Sequence, residues 1–247
     1  MSSVELRLPR VIGHRGAAGR APENTLAGFR RAAELGCRWV EFDVRLSLDD
    51  HPVVFHDDRL DRTTRSTGPV GATAYADLAV GDAGSFFAPE YRGERIPSLD
   101  EVLMLLREIG LGFNLEMKAE AGREGALADV VARGLARLWP QGAPLPLVSS
   151  FEEAALTAFA RRRPDIPRAY LVGRLSPGWR RDAERLGAAA IVCDHKRLSR
   201  DTACTVKAAG YPLLVYTVNH PERAAELYAW GIDTIISDVP DAILSVA

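Results

Sequence analysis

The chain has 247 residues, with 31 lysines and arginines against 33 aspartates and glutamates, which gives a formal net charge of −2. Hydrophobic residues make up 47% and charged residues 26%, close to the averages of soluble globular domains. This composition excludes a disordered chain, a collagen-like chain and a disulfide scaffold. The near-zero net charge argues against a general nucleic-acid binder, which carries a basic excess to neutralise phosphates.

The compartment is predicted from what the sequence lacks. The first residues contain no apolar stretch of signal-peptide length, and no run reaches the roughly 18 apolar residues that span a bilayer. The cysteines, Cys37, Cys193 and Cys204, are far apart and never spaced as C-x-x-C. A structural zinc site or a disulfide framework is therefore not expected. We expect a reducing compartment, most simply the cytoplasm, and no stable membrane association.

Short apolar, β-branched runs alternate with longer segments of helical period. Eight candidate strands cover residues 10–14, 39–44, 52–56, 112–118, 145–149, 169–172, 189–193 and 212–218. Candidate helices cover residues 24–35, 99–109, 123–138, 152–163, 177–186, 200–209 and 222–230. Strands that alternate with helices indicate βαβ units and a parallel sheet. Eight repeats in about 250 residues predict a single α/β domain over residues 1–247, a (β/α)8 TIM barrel, with a doubly wound open sheet as the alternative.

Two connections depart from this regular repeat. Only residues 45–51 separate the second and third predicted strands, which is too short for a full helix and predicts a turn. Residues 57–97 then form a long segment rich in Gly, Thr and Asp. Such a connection is uncommon in a compact domain unless it is functional or a small subdomain, so we expect an inserted segment after the third strand. In a barrel it would lie over the C-terminal face, where active sites form.

Acidic residues gather at the ends of the predicted strands. Side chains alternate along a strand, so Glu41 and Asp43 share one face, as do Glu116 and Lys118, while the apolar residues between them point to the helical layer. In a barrel the three carboxylates converge near the axis, where uncompensated burial is costly. A hard divalent cation, Mg²⁺ or Ca²⁺, would resolve this repulsion because both prefer oxygen ligands. The alternative is simple ion pairing with nearby basic residues.

Two histidines and two basic residues lie at the same strand ends. His14 and His56 end different predicted strands, and an imidazole that titrates near neutral pH suits general acid and base roles. Arg15 and Lys118 suit anion binding, Arg through paired hydrogen bonds and Lys as a point charge. Anion-binding cations, a metal site and two histidines together indicate phosphate-ester chemistry.

Short motifs in a fixed order extend over nearly the whole chain. They are HRG at 14–16, PENT at 22–25, VEFDV at 40–44, PVVFHD at 52–57, LDRTT at 60–64, GERIPSL at 93–99, NLEMK at 114–118, YTVN at 216–219 and GIDTIISD at 231–238. Each motif is modest by itself, but jointly they are highly specific. In this combination the chain resembles the glycerophosphodiester phosphodiesterase family.

The resemblance implies the same barrel fold, with residues 57–97 as the inserted segment, and a set of site residues at the strand ends. It also implies one divalent cation, Mg²⁺ or Ca²⁺, as cofactor. The implied roles are acid/base catalysis for His14 and His56, metal binding for Glu41, Asp43 and Glu116, and substrate or phosphate binding for Arg15, Lys118 and Tyr216.

Three further residues qualify the resemblance. Asn24 is expected to fix the first loop and to cap the first helix. Glu23 either touches the site or only supports that loop. The motif of the eighth strand usually begins with Trp, whereas Tyr216 stands there in this chain, which keeps an aromatic wall but adds a hydroxyl. The preferred alcohol head group therefore stays open.

The expected activity is metal-dependent hydrolysis of glycerophosphodiesters, of the glycerophosphocholine and glycerophosphoethanolamine class, to sn-glycerol 3-phosphate and an alcohol. One alternative is a lysophospholipase D-like phosphodiesterase that acts on phospholipid head groups. A non-enzymatic alternative is an inactive phosphate-binding barrel. The expected partner is the small-molecule diester and not a nucleic acid, and association of this chain into a homo-oligomer is left open. The sequence also leaves open which histidine is the acid and which the base.

Overall fold

The structure, a computed structural model, describes residues 6–139 and 143–247, in which strands and helices alternate. The strands are β1 (Val11–Gly13), β2 (Trp39–Leu46), β3 (Pro52–Val54), β4 (Gly112–Met117), β5 (Leu147–Ser150), β6 (Arg168–Val172), β7 (Ala190–Asp194), β8 (Leu213–Tyr216) and β9 (Thr234–Ser237). The α-helices are α1 (Leu26–Glu34), α2 (Tyr75–Leu78), α3 (Leu99–Ile109), α4 (Glu124–Leu138), α5 (Glu153–Arg162), α6 (Trp179–Leu186), α7 (Arg200–Ala208), α8 (Pro221–Ala229) and α9 (Pro240–Leu244).

Within these residues, eight parallel strands form a closed barrel in the order β1, β2, β4, β5, β6, β7, β8 and β9. The ring closes at β1, which pairs with β9 on one side and with β2 on the other. Helices connect the successive parallel strands, as right-handed βαβ units require. The predicted (β/α)8 TIM barrel is confirmed, and the doubly wound open sheet is excluded because this sheet closes on itself.

The strand predicted third along the chain does not belong to the barrel. Pro52–Val54 pairs antiparallel with β2, with Val44 opposite Val54 and Leu46 opposite Pro52. An antiparallel pair needs only a short turn, which explains why residues 47–51 hold no helix. The prediction of a barrel strand at residues 52–56 was wrong, because the spacing of apolar residues does not show the direction in which a strand pairs.

The eighth barrel strand is instead β9, Thr234–Ser237, which the candidate strands above omit. It lies between β8 and β1 and pairs Ile235 with Val11 and Ser237 with Gly13. The strand that ends at Tyr216 is therefore the seventh of the barrel and not the eighth. This assignment places residues after Ser237 at the same barrel end as residues after Gly13.

The inserted segment, residues 57–97, packs around a small hydrophobic cluster. This cluster lies apart from the barrel core and consists of Val53, Phe55, Leu60, Val70, Leu78, Ala83 and Ile96. The first two members belong to β3 and the residue after it, so the hairpin strand joins the segment to β2. The third predicted strand thus holds the insertion in place.

The two faces of the barrel strands have different neighbours. Their inner face encloses an apolar cluster that includes Ile12, Leu147, Leu171 and Val192. Their outer face packs against the helices, and Phe42 there contacts Phe29 of α1 with ring centroids 5.7 Å apart. This alternation decides which polar side chains of the same strands reach the inside of the barrel.

The ends of α3 follow from local sequence. The Ser98 hydroxyl accepts a hydrogen bond from the Glu101 backbone N–H, and the Glu101 carboxylate accepts one from the Ser98 N–H. Gly110, with φ of +72°, ends the helix in the left-handed conformation that glycine adopts most readily. The predicted helix 99–109 is confirmed at both ends. Across residues 6–139 and 143–247, none of the helices combines the length and apolar character that crossing a membrane requires.

Candidate active site

The three carboxylates selected from the sequence meet inside the barrel, where β2 and β4 lie side by side. The strands run parallel in register, with Asp43 opposite Glu116 and Glu41 opposite Asn114. One carboxylate oxygen from each acid lies within 4.8 Å of the others. Glu41 is 3% exposed and Asp43 1% exposed, so water compensates little of their charge. The structure therefore places a compact acidic cluster at the bottom of a cleft.

Burial and neighbouring charges shift the pKa values of the three acids. Burial raises the pKa of Glu41 well above its usual value, and the charges of Asp43 and Glu116 add to the shift. Burial, with a contribution from Asp43, also raises the pKa of Glu116 to about 7. Burial opposes ionisation of Asp43 too, but the charges of Lys118 and Arg15 outweigh it and lower that pKa. The basic residues compensate one acid well and the other two incompletely.

This imbalance favours a metal site over simple ion pairing. Lys118 Nζ lies 2.7 Å from Glu116 Oε1 and 3.5 Å from Asp43 Oδ1. In the part of the chain that the structure describes, the Glu41 carboxylate has no ion pair with a lysine or arginine side chain; it accepts a 3.0 Å hydrogen bond from the Arg15 backbone N–H. The all-oxygen donor set with excess negative charge fits Mg²⁺ or Ca²⁺.

Each of the two predicted histidines is held by an aspartate. His14 Nδ1 lies 2.6 Å from Asp238 Oδ1, and His56 Nδ1 lies 2.6 Å from Asp57 Oδ1. An ionised carboxylate only accepts hydrogen bonds, so each Nδ1 donates and each Nε2 stays available for proton transfer. His14 Nε2 lies 3.8 Å from Glu41 Oε2, which puts it beside the acidic cluster. The arrangement suits acid/base chemistry.

The aspartate behind His14 is itself held by a residue that was not predicted from the sequence. Asn219 Nδ2 donates to Asp238 Oδ2 at 2.7 Å, and the Asp238 backbone N–H donates to Asn219 Oδ1 at 2.9 Å. Burial opposes ionisation of Asp238, but its hydrogen bond with His14 lowers its pKa. Asp57, Asp238 and Asn219 all lie inside the sequence motifs, which was the available signal. The sequence-based assignment contained no strand over residues 234–237, however, so it did not place Asp238 at the end of a barrel strand.

Arg15 is held in an unusual backbone conformation. Its φ is +49°, a left-handed conformation that costs a non-glycine residue about 1–3 kcal/mol. Its N–H bond to Glu41 and its guanidinium contacts hold it there, with Nη1 2.6 Å from Glu23 Oε1 and Nε 3.4 Å from Asp43 Oδ2. Burial opposes the charge of Arg15, yet the surrounding carboxylates raise its pKa. The guanidinium therefore stays charged beside the cleft.

The structure corrects one part of the prediction for Asn24 and places Glu23 against the guanidinium of Arg15. Thr25, not Asn24, caps α1, since its hydroxyl accepts from the Gly28 N–H at 3.1 Å. Asn24 has the left-handed φ of +56°, which asparagine tolerates better than most residues, and its Nδ2 donates to Asp43 Oδ2 at 2.9 Å. Asn24 therefore fixes the loop and a carboxylate of the acidic cluster. Glu23 binds Arg15 and so supports that loop.

The cleft has a charged side and an apolar side. Tyr216 lies on the apolar side, with its ring centroid 6.3 Å from that of Phe151 and its hydroxyl donating to the Val172 carbonyl at 3.2 Å. On the charged side, Asn114 Oδ1 is buried without a hydrogen-bond partner among the described residues. The residues that line the cleft are His14, Arg15, Glu41, His56, Asn114, Glu116, Lys118, Phe151, Leu171, Val192, Tyr216, Thr217 and Ile236.

Comparison with known proteins agrees with this geometry. The model of the Glycerophosphoryl diester phosphodiesterase family matches residues 14–242. The chain belongs to this family. Members of the family are phosphoric diester hydrolases, so the protein is an enzyme of that class. The resemblance stated from the motifs is confirmed.

Two curated family relatives match along almost their full length. The Bacillus subtilis (strain 168) protein YhdW is 35% identical to this chain, over 95% of this chain and 96% of YhdW. A glycerophosphodiester phosphodiesterase of Caldanaerobacter subterraneus subsp. tengcongensis is 31% identical, with 96% of each chain covered. The family assignment therefore applies to the whole barrel and not to one segment.

A solved structure that is similar to this chain carries a bound product. It is that of an Oleispira antarctica phosphodiesterase in complex with the product sn-glycerol-3-phosphate, 40% identical to this chain with a TM-score of 0.95. The match covers 97% of this chain and 96% of that protein. At this similarity the two barrels share the same backbone path around the cleft.

Proposed function

We propose that the protein hydrolyses glycerophosphodiesters of the glycerophosphocholine and glycerophosphoethanolamine class to sn-glycerol 3-phosphate and an alcohol. The observation that carries this proposal is one cleft with two aspartate-held histidines, two basic residues and three clustered carboxylates. The family match and the product bound by the Oleispira antarctica relative support the substrate class. The inactive phosphate-binding barrel is set aside, because the complete set of acid/base groups would serve no purpose in it.

Glu41, Asp43 and Glu116 are the proposed ligands of one divalent cation. Mg²⁺ or Ca²⁺ bound there would polarise a phosphate oxygen and lower the pKa of an oxygen nucleophile. Arg15 and Lys118 line the same cleft and would bind the remaining phosphate oxygens, Arg15 through paired hydrogen bonds and Lys118 as a point charge. The developing negative charge would thus meet fixed positive groups on one side of the cleft.

The two histidines are proposed to move the protons of the reaction. Burial lowers the pKa of His56, which favours the neutral imidazole and suits it to accept a proton through Nε2. The proton would come from the attacking oxygen, either that of water or the glycerol hydroxyl of the substrate. The second route gives a cyclic phosphate, which a water molecule would then open to sn-glycerol 3-phosphate. His14, held through Nδ1 by Asp238, would then protonate the departing alcohol from Nε2.

The apolar side of the cleft is proposed to hold the carbon atoms of the substrate. Phe151, Leu171, Val192, Tyr216 and Ile236 line it. The Tyr216 hydroxyl already donates to the Val172 carbonyl, so the face that Tyr216 offers is the aromatic ring. Such a wall would pack against the glycerol backbone while the phosphate contacts the charged side. The head group itself stays undetermined by these contacts.

The decisive experiment is a product-release assay over several glycerophosphodiesters, repeated after chelation and after addition of single metals. We expect release of sn-glycerol 3-phosphate, its loss on chelation and its recovery with Mg²⁺ or Ca²⁺. Micellar lysophospholipid is the comparison substrate, since the lysophospholipase D-like alternative requires preference for it. No turnover of any diester with any added metal would overturn the proposal.

The organisation of the chain around the site is proposed as well. We infer that residues 1–247 form one domain whose inserted segment, residues 57–97, lies over the C-terminal face of the barrel. Its contact with the site through Arg62, which binds Glu23 and Asp57, supports that placement. The cytoplasmic location and the small-molecule diester as partner likewise stay predictions from the sequence.

A further inference from the structure

Arg62, in the inserted segment, binds two carboxylates at once. Its Nε donates to Asp57 Oδ2 at 2.6 Å and its Nη2 to Asp57 Oδ1 at 3.0 Å. Its Nη1 donates to Glu23 Oε2 at 2.7 Å and its Nη2 to Glu23 Oε1 at 2.7 Å. The planar guanidinium thus forms two paired contacts, an arrangement that the single ammonium of lysine cannot reproduce.

Each of these carboxylates holds a different residue of the cleft. Asp57 Oδ1 lies 2.6 Å from His56 Nδ1, and Glu23 Oε1 accepts a 2.6 Å hydrogen bond from Arg15 Nη1. An unbroken chain of hydrogen bonds therefore runs from His56 through Arg62 to Arg15. The two ends of this chain follow different strands, β3 and β1, and the arginine between them comes from the inserted segment.

We propose that Arg62 is a positioning residue that sets the placement of His56 relative to Arg15; this rests on the proposed function of those two residues. Without the guanidinium, Asp57 and Glu23 would repel one another with no positive charge between them, and nothing would join their two loops at this point. The proton acceptor and the phosphate-binding side chain would then lose their mutual placement. Arg62 is not among the described residues that line the cleft, so it acts through its two neighbours.

Arg20 provides a matched control for Arg62. Arg20, in the loop between β1 and α1, donates to Asp241 at 3.1 Å from Nε to Oδ1 and at 3.1 Å from Nη2 to Oδ2. The Arg20 side chain is 39% exposed and that of Arg62 48%, so the two guanidinium groups are similarly solvated, although Glu23 at 13% and Asp57 at 25% are more buried than Asp241 at 34%. Exposed ion pairs contribute little to stability. A loss of kcat/KM in R62Q beyond that in R20Q, at a temperature where thermal melting shows both variants folded, therefore reports on the cleft.

The first test compares R62Q, R62K and R20Q in steady-state kinetics and thermal melting. We expect R62Q to lower kcat/KM about 10–100-fold, the range typical of residues that orient catalytic ligands. R62K should recover only part of the loss, because lysine binds one carboxylate well, and R20Q should match the wild type. Wild-type kcat/KM in R62Q, or equal losses in R62Q and R20Q, would overturn the proposal.

The second test asks whether Arg62 acts through its two partners. We expect R62Q to change kcat/KM less than about threefold in an E23Q/D57N background. In that background both carboxylates that Arg62 binds have already been replaced by amides, so R62Q removes no further ion pair. An undiminished effect in that background contradicts positioning through these carboxylates. Thermal melting of each variant identifies any that fail to fold, and R62Q with E23Q or D57N alone then replaces the triple variant.

A third measurement does not depend on turnover. The Nδ1–H protons of His14 and His56, assigned with H14A and H56A, are compared by NMR in wild type and R62Q. We expect the His56 signal to shift or broaden while that of His14, held by Asp238, stays unchanged. An unchanged His56 signal refutes the positioning role. If the wild-type enzyme hydrolyses no diester, the proposed function fails, and this measurement still decides the role of Arg62.

Discussion

The two halves of the barrel interior have the same backbone geometry and opposite chemistry. On β2 and β4, the paired positions Asp43 and Glu116 point carboxylates inward. On β6 and β7, the paired positions Leu171 and Val192 contribute to an apolar cluster. Side-chain identity at inward positions therefore decides where a barrel can carry chemistry, and here the proposed metal ligands occupy one half only.

The halves also differ in what they contribute to stability. Apolar surface buried in the second half stabilises the fold by roughly 25 cal/mol per Å². Buried carboxylates in the first half are costly unless they are paired, and burial raises the pKa of Glu41 and Glu116 as a result. Substitutions should therefore separate the halves: those in the charged half should change activity most, and those in the apolar half should change it little.

The largest effect is expected for Glu41→Gln. The amide keeps the shape of the side chain but removes a proposed metal ligand, so we expect kcat/KM to fall about a thousandfold or more at saturating metal. Exposed Glu108→Gln is the control and should match the wild type. Metal-titrated release assays measure both. Near-wild-type turnover in E41Q would show that the acidic cluster does not carry the reaction.

The next effect is expected for His14→Ala and His56→Ala. Each removes a proposed proton-transfer group, and we expect kcat to fall by roughly two powers of ten or more. His51→Ala, at a histidine outside the residues that line the cleft, is the control. Circular dichroism and thermal melting should show an intact fold in all three variants. If either cleft variant retains wild-type kcat, its histidine is not an acid or base of the reaction.

A smaller effect is expected in the pH dependence of metal-free stability. Burial raises the pKa of Glu41 and Glu116 above the unfolded value of about 4.3, so their contribution is fully present below that pH and lost as pH rises. We therefore expect the free energy of unfolding of the metal-free protein to fall between about pH 4 and about pH 7, by on the order of 1–3 kcal/mol. The Tm should fall over the same interval. Asp43, whose pKa is lowered, acts in the opposite direction at lower pH.

Thermal melting at several pH values, first in chelator and then with added Mg²⁺ or Ca²⁺, measures this pH dependence of Tm. A bound cation takes over the role of the protons, so added metal should flatten the fall. The variant E41Q/E116Q should lose the pH dependence without metal. A metal-free Tm that rises across this interval would contradict the assigned directions.

The charged half was largely predictable from sequence, for a physical reason. The period of two along a strand places Glu41 with Asp43 and Glu116 with Lys118, and a barrel brings strand ends together. The direction in which a strand pairs with its neighbour leaves no such pattern in the sequence. The run at residues 52–56 looks the same in a parallel barrel strand and in the antiparallel hairpin strand that it forms.

The site contacts that could not be predicted from the sequence join distant parts of the chain. Asp238 meets His14 across 224 positions, and only the closure of the barrel by β9 brings them together. Arg62 meets Glu23 across 39 positions through the inserted segment. Neither contact leaves a periodic pattern, so motifs indicated that these residues matter without showing what they touch.

The smallest effect is expected in the apolar half, for Tyr216→Phe. The Tyr216 hydroxyl donates to the Val172 carbonyl, a bond worth about 1 kcal/mol of stability, so its proton is already used. We expect a slightly lower Tm and kcat/KM within about threefold of the wild type, because the ring that faces the cleft is kept. Tyr216→Ala is the contrast, since it removes the wall and should raise KM more than it lowers kcat. A large loss of kcat in Y216F would mean that the hydroxyl contacts the reacting groups, and the apolar half would then share in the chemistry.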